Sequence, residues 1–340
     1  MTRRLLPPET MSAGIILSYQ CSAECRHCMY ACSPKWKEWI SEQELDVLLR
    51  QIAGKIQPSP YGPNNVSLNH GLHFSGGEPF LDFDLLLKAV ELSEELRIPS
   101  TFVETNCFWC TSDQVTREKL VALRKAGMKG IMISVNPYYL EFVPFERTER
   151  CIRIAQDVFG DNAMVYQANY YQVFKRMGLK GKISIEDYLN LVTNEDLARR
   201  VEMFLMGRAS YSLSWLYRRY SSEFFLDQSC QPPLLRNWHN HFDNYGNCIP
   251  GYCGGVSLGD WHNLYSLYRE GMDLSEHPVL SYLMEQDFRG FFRFSHDHGY
   301  IENPGGYVSK CHLCVDMRKH LYSLGTFEEL GPGEFYSQLE

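Results

Sequence analysis

Strand-like and helix-like segments alternate over most of the first 205 residues, and this alternation restricts the fold more than any other feature of the sequence. Buried apolar strands that are linked by amphipathic helices are typical of parallel β/α units, so we expect an α/β fold. The strands are expected at 14–20, 72–75, 101–106, 130–136, 163–167 and 202–205. The helices are expected at 41–55, 82–96, 112–127, 146–159 and 186–201, and further along the chain at 278–293 and 315–321.

Three cysteines follow the first predicted strand in a C-x3-C-x2-C run formed by Cys21, Cys25 and Cys28. This spacing lets one short loop point three thiolates at one centre, and three soft thiolates are a ligand set for an iron–sulfur cluster. A four-iron cluster with three protein ligands keeps one iron open for a substrate or cofactor. A structural zinc site is the alternative, since zinc usually takes four protein ligands and Cys32 could supply the fourth.

A glycine turn follows the second predicted strand and is formed by Gly76, Gly77, Glu78 and Pro79. Two glycines let the backbone approach a ligand closely, and a carboxylate suits an ammonium group. Taken alone, the segment is equally typical of a simple turn at the end of a strand. Its position after a strand places it where α/β folds keep their active sites.

Together the two motifs resemble the signature of radical S-adenosylmethionine (SAM) enzymes. The resemblance implies a partial (β/α)6 TIM-type barrel, a [4Fe-4S] cluster on Cys21, Cys25 and Cys28, and SAM bound at the open iron. It also implies that residues 76–79 bind the methionine amino group and that His27 packs on the adenine. By position at strand ends, the expected contacts with ribose or substrate are Glu104, Asn106, Ser134 and Asn136.

A second group of cysteines lies in the C-terminal third of the chain and consists of Cys230, Cys248, Cys253 and the C-x2-C pair formed by Cys311 and Cys314. Its arrangement resembles the SPASM/twitch extension, in which some radical SAM enzymes hold auxiliary clusters. The resemblance implies one auxiliary iron–sulfur cluster, and a four-cysteine zinc site is the alternative. The expected ligands are Cys230, Cys253, Cys311 and Cys314, with Cys248 in reserve. The expected domains are a partial barrel at 1–205, a bridging segment at 206–229 and a cysteine-rich domain at 230–340.

The remaining cysteines and histidines carry weaker signals. Cys107 and Cys110 form another C-x2-C pair, but the residues between them are aromatic, so we expect packing or substrate contact rather than metal binding. Free cysteine is also a common small buried residue, which is the interpretation for Cys151 and Cys32. Polar turns, rather than a further metal site, are expected at His239, His241, Asp243, His296 and His298.

The amino-acid composition indicates in which cellular compartment the protein works and which partners it is suited to bind. The chain has 340 residues, of which 44% are hydrophobic and 22% charged, as in ordinary globular proteins. No run approaches the roughly 18 apolar residues of a membrane span, and no secretory signal is evident. Twelve cysteines then indicate metal ligation in an oxygen-sensitive cytoplasmic protein. The formal net charge of −8 argues against a nucleic-acid partner, which would need a basic surface.

The expected function is reductive cleavage of SAM to a 5′-deoxyadenosyl radical, which abstracts hydrogen from a peptide or protein side chain or from a small molecule. The electron would come from an external donor of the flavodoxin or ferredoxin type. One alternative is a radical SAM enzyme for a small metabolite with a structural zinc site near the C-terminus. Another is a non-catalytic zinc-binding interaction protein. Methyl transfer through cobalamin is disfavoured, because no third domain is visible to carry cobalamin.

Overall fold

The computed structural model describes residues 3–193, 204–230, 234–236 and 238–340. The chain divides into two compact units. The larger unit consists of Thr10–Cys25 and Cys32–Glu202. The smaller unit consists of Met1–Glu9, Arg26–Ala31 and Met203–Glu340. Within the described ranges, the structure has no helix that combines the length and the apolar character needed to cross a membrane.

Strands and helices are numbered in chain order through both units. The strands are β1 (Arg4–Leu5), β2 (Ser12–Ser18), β3 (Leu72–Gly76), β4 (Phe102–Thr105), β5 (Gly130–Ser134), β6 (Ala163–Tyr166), β7 (His239–Asp243), β8 (Cys248–Ile249) and β9 (Met272–Asp273). The helices are α1 (Glu42–Ile52), α2 (Phe83–Glu95), α3 (Asp113–Ala126), α4 (Pro137–Leu140), α5 (Phe145–Phe159), α6 (Ala168–Met177), α7 (Ile185–Leu191), α8 (Ala209–Ser212), α9 (Leu264–Arg269), α10 (Pro278–Glu285), α11 (Phe288–Asp297), α12 (Lys310–Ser323) and α13 (Gly333–Ser337).

Five parallel strands of the larger unit lie side by side in the order β6-β5-β4-β3-β2. Their register pairs Ile15 with Phe74, Phe74 with Val103, and Val103 with Ile131. Because the spatial order follows the chain order without a reversal, the winding is that of a barrel and not of a doubly wound sheet. The predicted α/β fold with a partial barrel is confirmed.

The helices of the larger unit begin and end where the sequence signals indicate. Helix α1 opens with a capping box, in which the Ser41 hydroxyl accepts from the Glu44 backbone N–H and the Glu44 carboxylate accepts from the Ser41 N–H. Helix α3 ends at Gly127, whose φ of +116° favours glycine. The apolar faces of these helices are buried, as at Leu48 in α1 and Leu120 in α3.

Several predicted elements differ from the structure. Helix α7 ends at Leu191, and the remainder of the helix predicted at 186–201 falls mostly outside the described residues. The sixth strand predicted at 202–205 lies partly outside them, and its described residues are not a strand. The predicted helix at 278–293 is two helices, α10 and α11. The left-handed backbone conformation of Gln286 ends the first helix, and Asp287 caps the start of the second.

The smaller unit is built from short elements around α12. Strands β7 and β8 pair antiparallel, with His241 opposite Ile249, and β1 pairs antiparallel with β9. Helix α12 begins at Lys310 and is capped by Ser309, so it starts five residues before the predicted helix at 315–321. Both cysteines of the C-terminal C-x2-C pair therefore lie in the first turns of this helix.

Candidate cluster site and cysteine groups

The glycine turn and the segment that leads into Cys21 are held together by backbone hydrogen bonds in the larger unit. The Gly77 N–H donates to the Ser18 carbonyl at 2.8 Å, and the Glu78 N–H donates to the Gln20 carbonyl at 2.9 Å. Strands β2 and β3 are parallel neighbours, so their carboxyl ends meet at one edge of the sheet. The two sequence motifs therefore form one continuous piece of structure at this edge.

Both glycines of the turn are required by this close approach. Gly76 has a φ of +124°, and a Cβ at this position would lie 2.3 Å from the Ser18 carbonyl oxygen. A Cβ at Gly77 would lie 1.9 Å from the Gln20 carbonyl oxygen and 2.8 Å from the Cys21 nitrogen. Any larger residue would push the glycine turn away from the cysteine segment.

The first two cysteines of the C-x3-C-x2-C run are buried free thiols, with exposed fractions of 8% for Cys21 and 5% for Cys25. The Asn106 side-chain amide donates to the Cys21 sulfur at 3.6 Å and to the Ser22 hydroxyl at 3.1 Å. A donor aimed at a sulfur favours the thiolate, which is the form that binds iron. The residues present therefore fit the ligand set of an iron–sulfur cluster.

Cys28 belongs to the smaller unit, where its backbone is fixed. The Cys28 carbonyl accepts from the Arg208 N–H at 3.0 Å. A Cβ at Gly207 would lie 2.3 Å from the Met29 carbonyl oxygen, so glycine is needed beside this loop. In the same loop, burial and the charge of Arg208 lower the pKa of His27 to about 3, so its ring is neutral. A neutral ring is suited to stacking on a base.

The Glu78 side chain is only 1% exposed and is committed to protein contacts. Its Oε1 accepts from the Thr105 hydroxyl at 2.9 Å and from the Phe80 N–H at 3.3 Å, and its Oε2 accepts from the Asn106 N–H at 2.8 Å. Burial raises the pKa of Glu78. All three partners nevertheless donate to it, and none offers a free acceptor to a protonated carboxyl, so these contacts hold Glu78 as the carboxylate. Glu78 thus ties the glycine turn to the residues that follow β4.

Further polar side chains gather at the carboxyl ends of β3 and β4. The Ser75 hydroxyl donates to Glu104 at 2.8 Å, and the His73 Nε2 lies 3.4 Å from the other Glu104 oxygen. Burial raises the pKa of Glu104 to about 7 and lowers that of His73 to about 4. Around neutral pH this pair therefore contains a neutral imidazole and a carboxyl group that titrates.

Two residues that were predicted to contact ribose or substrate, Ser134 and Asn136, lie at the end of β5. Ser134 is the last residue of this strand and is half-buried. Asn136 is buried and caps α4, because its side-chain oxygen accepts from the Tyr138 N–H at 3.1 Å. Asn136 therefore already has a structural task.

The four C-terminal cysteines predicted as ligands lie near one another in the smaller unit. Burial raises the pKa of Cys253 to about 11 and that of Cys311 to about 12, and the neighbouring thiols, including Cys314 and Cys230, contribute. The Lys310 ammonium donates to the Cys230 sulfur at 2.8 Å. The reserve candidate Cys248 differs, since the rise of its pKa to about 12 comes from burial and from Asp243, not from the other cysteines.

Two basic residues that were not predicted from the sequence accompany this group. Lys310 precedes Cys311, and the pKa of its ammonium is raised by Cys314 and Cys230 although burial opposes the charge. Arg318 is 4% exposed and donates to the Gly254 carbonyl at 2.9 Å. Cationic neighbours of this kind are needed wherever several thiolates share one buried site.

A further group of thiols lies inside the larger unit. Cys107, Cys110 and Cys151 are each 0% exposed, and their sulfur atoms all lie within 4.8 Å of one another. Although burial opposes ionisation, hydrogen bonds from Cys107 and Cys151 lower the pKa of Cys110 to about 5. The sequence paired Cys107 with Cys110, but Cys151 comes from α5, and no spacing rule connects it to them.

The histidine segments are engaged in ordinary polar contacts. Asp243, at the end of β7, accepts from the Tyr245 N–H at 3.0 Å and the Asn247 N–H at 2.8 Å, and so organises the turn to β8. The His241 ring lies 3.2 Å from the Tyr30 hydroxyl. His298 caps the end of α11. Asp243 and His298 therefore make the expected polar contacts, whereas His239 and His241 lie in strand β7 and not in a turn.

No family model matches this chain. Its similar proteins include one relative by sequence and two solved structures. A protein named for peptide biosynthesis, YydG of Bacillus subtilis (strain 168), is 24% identical over 318 residues, which are 90% of this chain and 91% of that protein. A structure of BtrN in complex with AdoMet and 2-DOIA is 13% identical with a TM-score of 0.44 and covers 84% of this chain and 89% of that chain. A structure of native anSMEcpe with bound AdoMet and the Cp18Cys peptide is 13% identical with a TM-score of 0.45, over 92% and 97%.

Proposed function

We propose, from the premise that this chain is a radical SAM enzyme, that it cleaves SAM reductively and abstracts hydrogen from a peptide substrate. The observation that carries the SAM chemistry is the joining of the glycine turn to the cysteine segment. The bonds from the Gly77 and Glu78 N–H groups, at 2.8 and 2.9 Å, fix the two motifs against each other. Such preorganisation is what a site for a cofactor with two chelating groups requires.

Cys21, Cys25 and Cys28 would hold the [4Fe-4S] cluster, and the backbone of residues 76–79 would bind the methionine part of SAM. When bound, the cluster and SAM together supply a 5′-deoxyadenosyl radical that removes a hydrogen atom from the substrate. Asn106 donates to the Cys21 sulfur and so stabilises the negative charge of a ligand thiolate. His27, held neutral, would pack on the adenine.

Glu78 has a different role in this proposal from a direct SAM contact. Its carboxylate joins the glycine turn to Thr105 and Asn106 by hydrogen bonds of 2.9 and 2.8 Å. It therefore orients both the backbone that faces methionine and the amide that faces Cys21. We assign Glu78 as a positioning residue on this basis.

Glu104 and Ser134 lie at neighbouring strand ends and would face ribose or substrate. A carboxyl group whose pKa is near 7 can accept or release a proton at physiological pH. The His73 imidazole, kept neutral by burial, limits the charge that accumulates there. This polar group is therefore suited to orient a substrate that carries hydroxyl or amide groups.

Cys230, Cys253, Cys311 and Cys314 would hold an auxiliary iron–sulfur cluster. A four-cysteine zinc site is the alternative. Lys310, which donates to the Cys230 sulfur, and the buried Arg318 would offset the negative charge of a cluster.

The relative named for peptide biosynthesis supports a peptide substrate, because the similarity extends over 90% of this chain and 91% of that protein. The electron for SAM cleavage would come from an external donor of the flavodoxin or ferredoxin type. A cavity of about 410 Å³ in the smaller unit is lined by Phe204, Phe225, Cys230, Lys310 and Cys311. Its apolar wall beside two proposed cluster ligands would accept a hydrophobic side chain.

The test uses anaerobically reconstituted protein with SAM, dithionite and synthetic deuterated peptides that match short reading frames beside the gene. We expect 5′-deoxyadenosine that carries deuterium from one peptide, together with a mass change in that peptide. Cys21→Ala is the control and should form none. Unlabelled 5′-deoxyadenosine with every peptide would reject the peptide substrate. No 5′-deoxyadenosine from iron-loaded protein would reject the SAM chemistry.

A further inference from the structure

We propose that Cys107, Cys110 and Cys151 bind a single zinc ion in the core of the larger unit. The three sulfur atoms lie within 4.8 Å of one another, and none of the three residues is exposed. Zinc–sulfur bonds of about 2.3 Å place the sulfur atoms of a tetrahedral site about 3.8 Å apart. The sulfurs therefore need to approach by at most about 1 Å to close around one ion.

The turn between Cys107 and Cys110 is built so that both thiols face the same way. The Cys110 N–H donates to the Cys107 carbonyl at 3.1 Å, and Cys107 has a left-handed φ of +69°. That conformation is uncommon for a residue other than glycine and persists only where its surroundings enforce it. Here the Thr105 hydroxyl oxygen accepts from the Cys107 N–H at 3.1 Å and from the Trp109 indole at 2.9 Å.

Helix α5 brings the third thiol to this turn and is fastened to it at two points. The Arg150 guanidinium donates to the Cys110 carbonyl at 2.7 Å, and the Arg147 guanidinium donates to the Phe108 carbonyl. Both arginines precede Cys151 on α5, by four residues and by one, so they dock the part of the helix where its thiol meets the other two. Apolar packing of three small side chains would not require the helix to be held to the turn at two points.

Charge and solvent access also suit a metal ion. Three thiolates and one divalent cation leave one negative charge, and Arg150 lies beside the turn to offset it. Trp109 stacks on Phe80 with ring centroids 4.0 Å apart, and the two rings help to shield the thiols from water. Soft thiolates favour zinc over hard cations such as magnesium. A small exogenous donor would take the fourth position, as in other sites with three protein ligands.

The ion would act on the proposed SAM site through the chain that follows β4. Asn106, which donates to the Cys21 sulfur at 3.6 Å, directly precedes Cys107. A zinc ion that fixes Cys107 therefore also fixes the backbone that aims the Asn106 amide. The binding site itself does not depend on SAM chemistry and can be tested without activity.

The full chain, purified anaerobically, is analysed for zinc and iron by mass spectrometry. We expect one zinc per chain, and none in Cys151→Ala, whose iron content and circular dichroism stay at the wild-type level. Cys32→Ala is the matched control: it removes another buried thiol (3% exposed) and should keep its zinc. Zinc retained in Cys151→Ala, or zinc absent from the wild type, would overturn the proposal.

X-ray absorption at the zinc edge of the wild type keeps the proposal testable if Cys151→Ala fails to fold. Three sulfur ligands at about 2.3 Å and one lighter donor are expected. A first shell of four sulfurs would place the zinc at the C-terminal cysteines and reject the proposed site. A shell of only nitrogen and oxygen would identify adventitious zinc and reject it as well.

Discussion

Replacing Glu78 by glutamine tests whether this residue positions the site or contacts SAM directly. In the structure, Glu78 Oε1 accepts from the Phe80 N–H and the Thr105 hydroxyl, and Oε2 accepts from the Asn106 N–H. Glutamine has only one acceptor oxygen. If that oxygen faces Phe80 and Thr105, the new NH₂ group opposes the Asn106 N–H and leaves this buried donor unpaired.

The opposite orientation of the glutamine is also unfavourable. Its NH₂ would then face the Phe80 N–H and the Thr105 hydroxyl. Thr105 cannot rotate to accept from it, because its oxygen already accepts from the Cys107 N–H and the Trp109 indole. Each orientation therefore leaves at least one buried donor unsatisfied, which costs about 1–3 kcal/mol.

Hydrogen exchange of the peptide that covers residues 102–110 measures this loss locally in the intact chain. A local opening free energy that falls by about 1–3 kcal/mol speeds exchange there roughly 5- to 150-fold. Glu91→Gln is the matched control, because Glu91 is exposed on α2, and it should leave the exchange unchanged. Weaker SAM binding by Glu78→Gln with unchanged exchange would refute the positioning role and indicate a direct contact with the ammonium.

Three more substitutions probe the same edge of the sheet. Gly77→Ala should abolish SAM binding in titrations, because its Cβ would lie 1.9 Å from the Gln20 carbonyl oxygen. Asn106→Leu removes the hydrogen bond to the Cys21 sulfur and should lower the cluster potential by about 20–60 mV, equivalent to about 0.5–1.5 kcal/mol for one electron; an unchanged potential in spectroelectrochemistry contradicts this. The pKa of Glu104 is raised to about 7 in the fold, so its stabilising contribution is complete below about pH 4 and is lost as the pH rises through 7. In Glu104→Gln, the urea concentration at the unfolding midpoint should therefore decrease less between pH 5 and about 8 than in the wild type. An equal decrease in both proteins would contradict the assignment.

Local signals in the sequence were sufficient to predict the sheet and the first motif pair. The capping box at Ser41, the stop at Gly127 and the apolar runs of β2 to β5 each depend on neighbouring residues. The placement of the glycine turn and the cysteine segment at one edge of the sheet also followed from the motifs, because parallel strand ends meet there. The close approach of Gly77 to the Gln20 carbonyl was not predicted. The link between local pattern and structure is direct for these elements.

Contacts between residues that are far apart in the chain could not be predicted from the sequence. Cys151 looked like an ordinary packing residue, because its partnership with Cys107 and Cys110 arises only when α5 docks beside the turn after β4. The Glu78 carboxylate also accepts hydrogen bonds from Thr105 and Asn106, which belong to another β/α unit. Helix and strand patterns carry no information about such pairings.

The measurement that tests the central claim most directly is the response of the reduced cluster to SAM. The account predicts that SAM changes the electron paramagnetic resonance spectrum of the reduced protein and then yields equal amounts of 5′-deoxyadenosine and methionine. Both responses should disappear in a variant with Cys21, Cys25 and Cys28 replaced by alanine, which should retain about four irons at the C-terminal cysteines. A wild-type protein with full iron content, an unchanged spectrum and no 5′-deoxyadenosine would contradict the account.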